Sequence, residues 1–166
     1  MGRKEQQISD LALFGGCKAK DVQWVAKTAD TIDLPAGCTI AVKGDKVREF
    51  VVIVDGVAAG TNDAGDVLLT RGSYFGEMGL MDGRPHTMTI TTLTPVRAFV
   101  FDARTFPALI ERLPSVGRKL MTELVTRLRA SEDGHKVVQV VRDARDQVAR
   151  DARSQNESAR NLKAVS

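Results

Sequence analysis

The stretch from Thr31 to Phe101 is cut into short pieces, and the cuts decide what the chain can fold into. Pro35-Ala36-Gly37, Lys43-Gly44-Asp45, Asp55-Gly56, Asn62-Asp63-Ala64-Gly65 and Arg71-Gly72-Ser73 fall between short β-type runs. The runs are Ile32 and Leu34, Ile40 and Val42, Phe50 to Val54, Val57, Val67 to Leu69, Met88 to Ile90, and Val96 to Phe101. Branched and aromatic side chains suit a pleated, half-buried surface, while Gly, Pro, Asn and Asp supply the backbone angles of tight turns. Regular punctuation of this kind predicts a compact β-sandwich or barrel.

Helical spacing frames that region on both sides. Ile8, Leu11, Leu13, Phe14, Val22, Val25 and Ala26 recur near 3.6 residues, with Gly15-Gly16 as a break and Lys20-Asp21 as a second start, so two short helices are expected ahead of the strands. After Asp102 come Thr105 to Arg112 and then Ser115 to Ala130, the latter behind Pro114, a residue suited to a helix start. From residue 131 to 166 there are no aromatics, seven basic and six acidic residues, and one narrow stripe, Val137, Val141, Ala144 and Val148. The expected division is a domain over 9–130 and a polar tail over 131–166, partly helical and disordered at its end.

Several function classes drop out on composition. With 24 Lys and Arg against 21 Asp and Glu, the net charge of +3 is spread without a dense basic block, so nucleic-acid binding is not implied. Cys17 and Cys38 are isolated, and only two histidines accompany them, which signals neither a zinc site nor a disulfide framework. The polar start Met1-Gly2-Arg3-Lys4-Glu5-Gln6-Gln7 leads into no secretion signal, and no apolar run is long enough to span a membrane. A cytoplasmic protein is expected. Nucleophile elbows, P-loops and metal-ligand spacings are absent, so no enzyme, no catalytic residue, no metal and no cofactor is expected.

The informative segment is Gly72-Ser73-Tyr74-Phe75-Gly76-Glu77-Met78-Gly79-Leu80-Met81-Asp82-Gly83-Arg84-Pro85-His86-Thr87-Met88-Thr89-Ile90, which lies between two strands. Gly76 lets a ligand approach the backbone, and a turn after it offers the N–H groups of Glu77, Met78 and Gly79 to an anion. Glu77 beside such a cradle suits a sugar hydroxyl, which donates to a carboxylate. On these residues alone, a first-turn Glu stabilising its own helix is the commoner role.

Pro35-Ala36-Gly37, Lys43-Gly44-Asp45, Val54-Asp55-Gly56-Val57, the run Gly72 to Leu80, Thr105-Phe106 and Pro114, in that order, resemble the cyclic nucleotide-binding domain. That module occurs in bacterial catabolite-activator transcription factors, in regulatory subunits of cyclic-AMP-dependent kinase and in cyclic-nucleotide-gated channels. The resemblance, over residues 9 to 130, implies an α+β, mainly β fold: an eight-stranded, jelly-roll-like β-roll with flanking helices and a phosphate-binding-cassette helix. It also implies that Gly76 and Glu77 hold the phosphate-cradle and ribose-binding positions.

One position departs from the family pattern. The cassette normally ends in an Arg that pairs with the cyclic phosphate, and His86 stands there. Losing that charge-assisted bond costs about 1.5–3 kcal/mol, or about 10- to 150-fold in affinity. Arg84 is the other candidate, since residues two apart in an extended segment share a face and Pro85 favours an extended Arg84. The alternatives are an Arg84 in water on a turn tip and a His86 packed at a strand start. Thr87 matches a place where small or hydroxyl residues touch the phosphate in relatives, although Thr in a strand needs no ligand to explain it. Met121, Leu124 and Leu128 are read as core or dimer-seam residues in preference to a cap over a base.

The implied function is a stand-alone regulatory module that binds cyclic AMP weakly, or cyclic GMP or a related anionic ligand, and signals to a protein partner, or by self-association, through its C-terminal helices. Direct DNA binding is not expected, because the 36 residues after Ala130 hold no second core and no helix-turn-helix pattern. The alternative is a degenerate, non-binding adaptor that docks through its tail.

Overall fold

A computed structural model describes residues 1–132, 146–154, 157 and 160. Eight strands form two four-stranded antiparallel sheets: β1 (Asp30–Leu34), β2 (Thr39–Ala41), β3 (Glu49–Asp55), β4 (Ala58–Asn62), β5 (Gly65–Leu69), β6 (Tyr74–Phe75), β7 (Thr89–Thr92) and β8 (Val96–Asp102). One sheet runs β1-β8-β3-β6 and the other β2-β7-β4-β5. The expected eight-stranded roll with flanking helices is the observed fold.

The central strands read as unbroken apolar runs because both of their faces are buried. In β3, Phe50, Val52 and Val54 turn outward to the helices, and Val51 and Ile53 turn into the roll. β8 divides the same way, with Phe99 and Phe101 under the helices and Ala98 and Val100 inside. A period of two thus builds two cores from one pair of strands. Phe50 sits at the centre of the outer core, its ring centroid 4.9 Å from that of Phe106, 5.6 Å from Tyr74 and 5.8 Å from Phe101.

The helices that cover this outer core are α1 (Arg3–Ser9), a 3-10 turn (Ala12–Phe14), α2 (Ala19–Thr28), α4 (Thr105–Arg112) and α5 (Pro114–Glu132); α3 (Glu77–Asp82) lies in the segment between β6 and β7. Two points differ from the spacing. Leu13 and Phe14 belong to the 3-10 turn, and the first true helix precedes them, with Ile8 fully buried and Lys4 Nζ bonded to the Ala29 carbonyl. The packed unit therefore begins at Arg3, ahead of the residue 9 expected from the sequence. The polar residues of α1 hid it, since Ile8 is its single buried side chain. The run expected at Val57 corresponds to β4, which starts one residue later and owes its place to pairing with β5 and β7, since Ala58-Ala59-Gly60 has none of the branched side chains that mark a strand; β6, two residues long, was not among the expected runs.

α5 docks through Val116 and Leu120, both buried, behind the buried Leu113 that ends α4. The Val137, Val141 and Ala144 stripe lies outside the described residues, while residues 146–154 are helical. Among the described residues, no buried member of either core lies beyond Leu120. Removing residues 132–166 is accordingly expected to leave a cooperative melt in circular dichroism, with any loss falling on association; a broad, non-cooperative melt would move the domain boundary into the tail.

Candidate functional site

A cavity of about 440 Å³ opens between the inner face of the β2-β7-β4-β5 sheet, the cassette helix α3 and the outer half of α5. Its floor is apolar, with Val67, Leu69, Met88 and Ile90 among the residues, and its rim is polar. Such a combination suits a flat apolar body carrying a few hydrogen-bonding groups.

The cassette owes its shape to Gly76. The chain leaves β6, turns through Gly76 at φ +92° and enters α3. A Cβ on Gly76 would lie 2.1 Å from the Glu49 carbonyl oxygen, so only glycine permits the approach of this turn to β3. α3 then packs on the β2–β3 loop: Val47 Cγ2 would be 2.2 Å, and the Arg84 carbonyl oxygen 2.6 Å, from a Cβ on Gly79. The expected helical turn after Gly76 is present.

Glu77 opens α3 and is 2% exposed. Arg127 from α5 reaches it, with Nη1 3.4 Å from Glu77 Oε1, while Nη2 donates to Glu123 Oε1 at 3.0 Å. Tyr74 donates its hydroxyl to Glu123 Oε2 at 2.7 Å, and the Arg127 guanidinium lies 5.4 Å from the Tyr74 ring centroid. One guanidinium thus serves two carboxylates and an aromatic face. Burial raises the Glu77 pKa above its ordinary value; its own backbone N–H and Arg127 pull it back, and Glu123 pushes it up again. Burial likewise raises the Tyr74 hydroxyl, with the Glu123 bond adding to it.

Across the cavity, His86 is fixed by its backbone. Its N–H donates to the Asp45 carbonyl, and its carbonyl accepts from the Gly44 N–H, both at 2.9 Å. The imidazole is half-buried between this cavity and a second one of about 480 Å³ that includes Lys46 and Arg48. Burial lowers the His86 pKa, opposed by Asp45, so the ring is neutral at pH 7.

Of the residues singled out in the sequence, Gly76, Glu77, Met78, Gly79, His86 and Thr87 all line the cavity. Arg84 does not line it. Its N–H is tied to Asp82 Oδ1 at 2.9 Å, its carbonyl is packed beneath Gly79, and its side chain is exposed. The extended geometry expected from Pro85 does not carry that guanidinium inward, because the turn after α3 points it to water.

A model of the cyclic nucleotide-binding domain matches residues 31–113, half of the chain. The chain belongs to the cyclic nucleotide-binding domain family. Among its relatives are the CRP-like cAMP-activated global transcriptional regulator of Mycobacterium tuberculosis, 25% identical over 78% of this chain and 60% of that protein, and the cAMP-dependent protein kinase regulatory subunit of Aspergillus niger, 28% identical over 69% and 29%. The chain therefore spans less than two thirds of the curated relatives it matches. Among solved structures, the Thermus thermophilus catabolite activator protein is similar at a TM-score of 0.65, with 25% identity over 72% of this chain and 59% of that one. Cyclic-AMP-bound PfPKA-R shares the fold at a TM-score of 0.70 and 22% identity, over 78% and 46%.

This cyclic nucleotide-binding domain has site residues that the sequence reading passed over. Glu123 and Arg127 reach the cavity, whereas Met121, Val125 and Leu128 on the same helix are exposed. A signal was available: Val116, Leu120, Glu123 and Arg127 recur at 4, 3 and 4 residues, so the charged pair extends the docked stripe of α5. Tyr74 also lines the cavity, its buried ring in the outer core and its hydroxyl bonded to Glu123. Among the described residues there is no cluster able to hold a metal, and no helix is long and apolar enough to cross a membrane.

Proposed function

We propose that this domain is a regulatory module in which a ribose-bearing ligand of the cyclic nucleotide type enters the cavity and is read out by α5. The observation that carries this is the Glu77–Arg127 pair, which joins the cassette to the C-terminal helix across the cavity mouth. A ribose hydroxyl donating to Glu77 competes with Arg127 for the same carboxylate, so ligand entry alters the hold of the cassette on α5. The module works by binding and carries out no reaction. Its partner, or a second copy, senses the C-terminal helices. Cyclic AMP and cyclic GMP bind weakly, with Gly76, Glu77, Met78, Gly79, His86 and Thr87 around the ligand. Calorimetric titration with both nucleotides tests the reading: heat at micromolar to sub-millimolar ligand supports it.

A non-binding adaptor is the second reading, and His86 in place of the family's Arg is the observation in its favour. Silence of the cyclic nucleotides and of adenosine alike at millimolar concentration would shift the conclusion to it.

Glu77→Gln separates the carboxylate's two effects. The folded protein holds the Glu77 proton to higher pH than the unfolded chain, because burial raises this pKa. The group's stabilising contribution is full below the ordinary value of 4.5 and is lost as pH rises through the raised folded value. The expected result is a Glu77→Gln protein with a Tm equal to or above that of the parent at pH 7, a flatter Tm-against-pH curve above pH 4.5, and ligand binding weakened by about 1–3 kcal/mol. A variant that is less stable at pH 7 and binds as before would make Glu77 a structural group only.

A further inference from the structure

The charges around the cavity are at odds with an anionic ligand. Glu77 and Glu123 contribute two carboxylates, Arg127 is the single cation among the described residues that line it, and both carboxylates already bond that cation. At the place where the family puts a permanent positive charge stands His86, whose half-buried ring lies against a backbone pinned by Gly44 and Asp45. Arg84 faces water, and Lys46 and Arg48 border the second cavity on the far side of His86. A cyclic phosphate would leave water for a site whose described lining side chains sum to a negative charge, with no unshared cation among them to replace its hydration. Ribose and base meet no such penalty: Glu77 accepts from hydroxyls, Thr87 and neutral His86 offer hydrogen bonds, and Val67, Leu69, Met88 and Ile90 give a dry surface for a ring.

We infer that this cavity selects an uncharged ribonucleoside over the corresponding cyclic nucleotide, with His86 and Glu77 as the residues that set the preference. The inference rests on the reading of Glu77 as a ribose-binding group. It makes the family's phosphate pocket, in this chain, a site that senses the sugar and the base.

Calorimetry on the full chain with adenosine, 2′-deoxyadenosine and cyclic AMP at pH 7.5 tests it. Adenosine is expected to bind about ten-fold or more tighter than cyclic AMP, and about ten-fold tighter than 2′-deoxyadenosine. His86→Arg is expected to raise cyclic AMP affinity by about 10- to 150-fold and to change adenosine affinity by less than about three-fold, which inverts or erases the preference. The wild-type comparison decides without the variant. Cyclic AMP binding as tightly as adenosine, or tighter, overturns the inference and leaves the ribose-site reading standing. Failure of adenosine and cyclic AMP alike at millimolar concentration overturns both.

Discussion

A Gly76→Ala protein is expected to lose about 3 kcal/mol or more of stability and to bind no ligand in the cassette. Two costs combine. A residue with a Cβ held at φ +92° bears about 1–2 kcal/mol of conformational strain. The larger cost is steric, because the new carbon would sit 2.1 Å from the Glu49 carbonyl oxygen. Glu49 begins β3 and is registered against Asp102 of β8, so that oxygen belongs to the central strand pair and is not free to move aside. The turn must open instead, which displaces Glu77 from Arg127 and the first turn of α3 from the cavity. Urea denaturation measures the first effect and ligand titration the second. A variant within 1 kcal/mol of the parent, with ligand affinity unchanged, would mean that the close approach of the cassette to β3 is not a requirement of the fold.

Phe50→Ala is expected to cost about 3–5 kcal/mol, the range for emptying a fully buried aromatic position. Phe50 has no exposed surface, and its ring touches those of Tyr74, Phe101 and Phe106, which come from β6, β8 and α4. Small shifts cannot refill the space, because β6 and β8 are both hydrogen-bonded to β3, the strand that carries Phe50, and α4 is packed on β8 and α5. In thermal denaturation this corresponds to a fall in Tm on the order of 10 °C. The site feels it as well: Tyr74 loses lateral support and carries its hydroxyl away from Glu123, so ligand affinity should fall even where the variant remains folded. A loss below 1 kcal/mol would show that the outer core collapses around the vacancy, contrary to the packing described here.

Much of the architecture was legible in local chemistry. Turn residues between short branched and aromatic runs announce strands, because backbone angles at Gly, Pro, Asn and Asp are set by the residue itself. Phe50 to Val54 and Val96 to Phe101 read as central strands for the same reason. The cassette was legible through Gly76 and Glu77, whose types are demanded by a close backbone approach and by a carboxylate at the first turn of a helix. Where the sequence spoke poorly, the local signal was weak or misleading. Ala58-Ala59-Gly60 becomes a strand through its neighbours, and the helix Arg3–Ser9 buries one side chain in seven residues.

The sequence by itself determined the β-roll and the place of the glycine turn and short helix between β6 and β7, since each depends on residue type at a known place along the chain. Tertiary structure alone decided what faces the cavity. Pro85 made an inward Arg84 plausible, and the Asp82 turn sends it to water. Arg127 lies 50 residues from Glu77, and only the docking of α5 through Val116 and Leu120 brings its guanidinium to that carboxylate. The charge of the site is a sum over side chains gathered from distant parts of the chain, and electrostatic energy depends on distance in space and on burial, quantities that residue order does not carry.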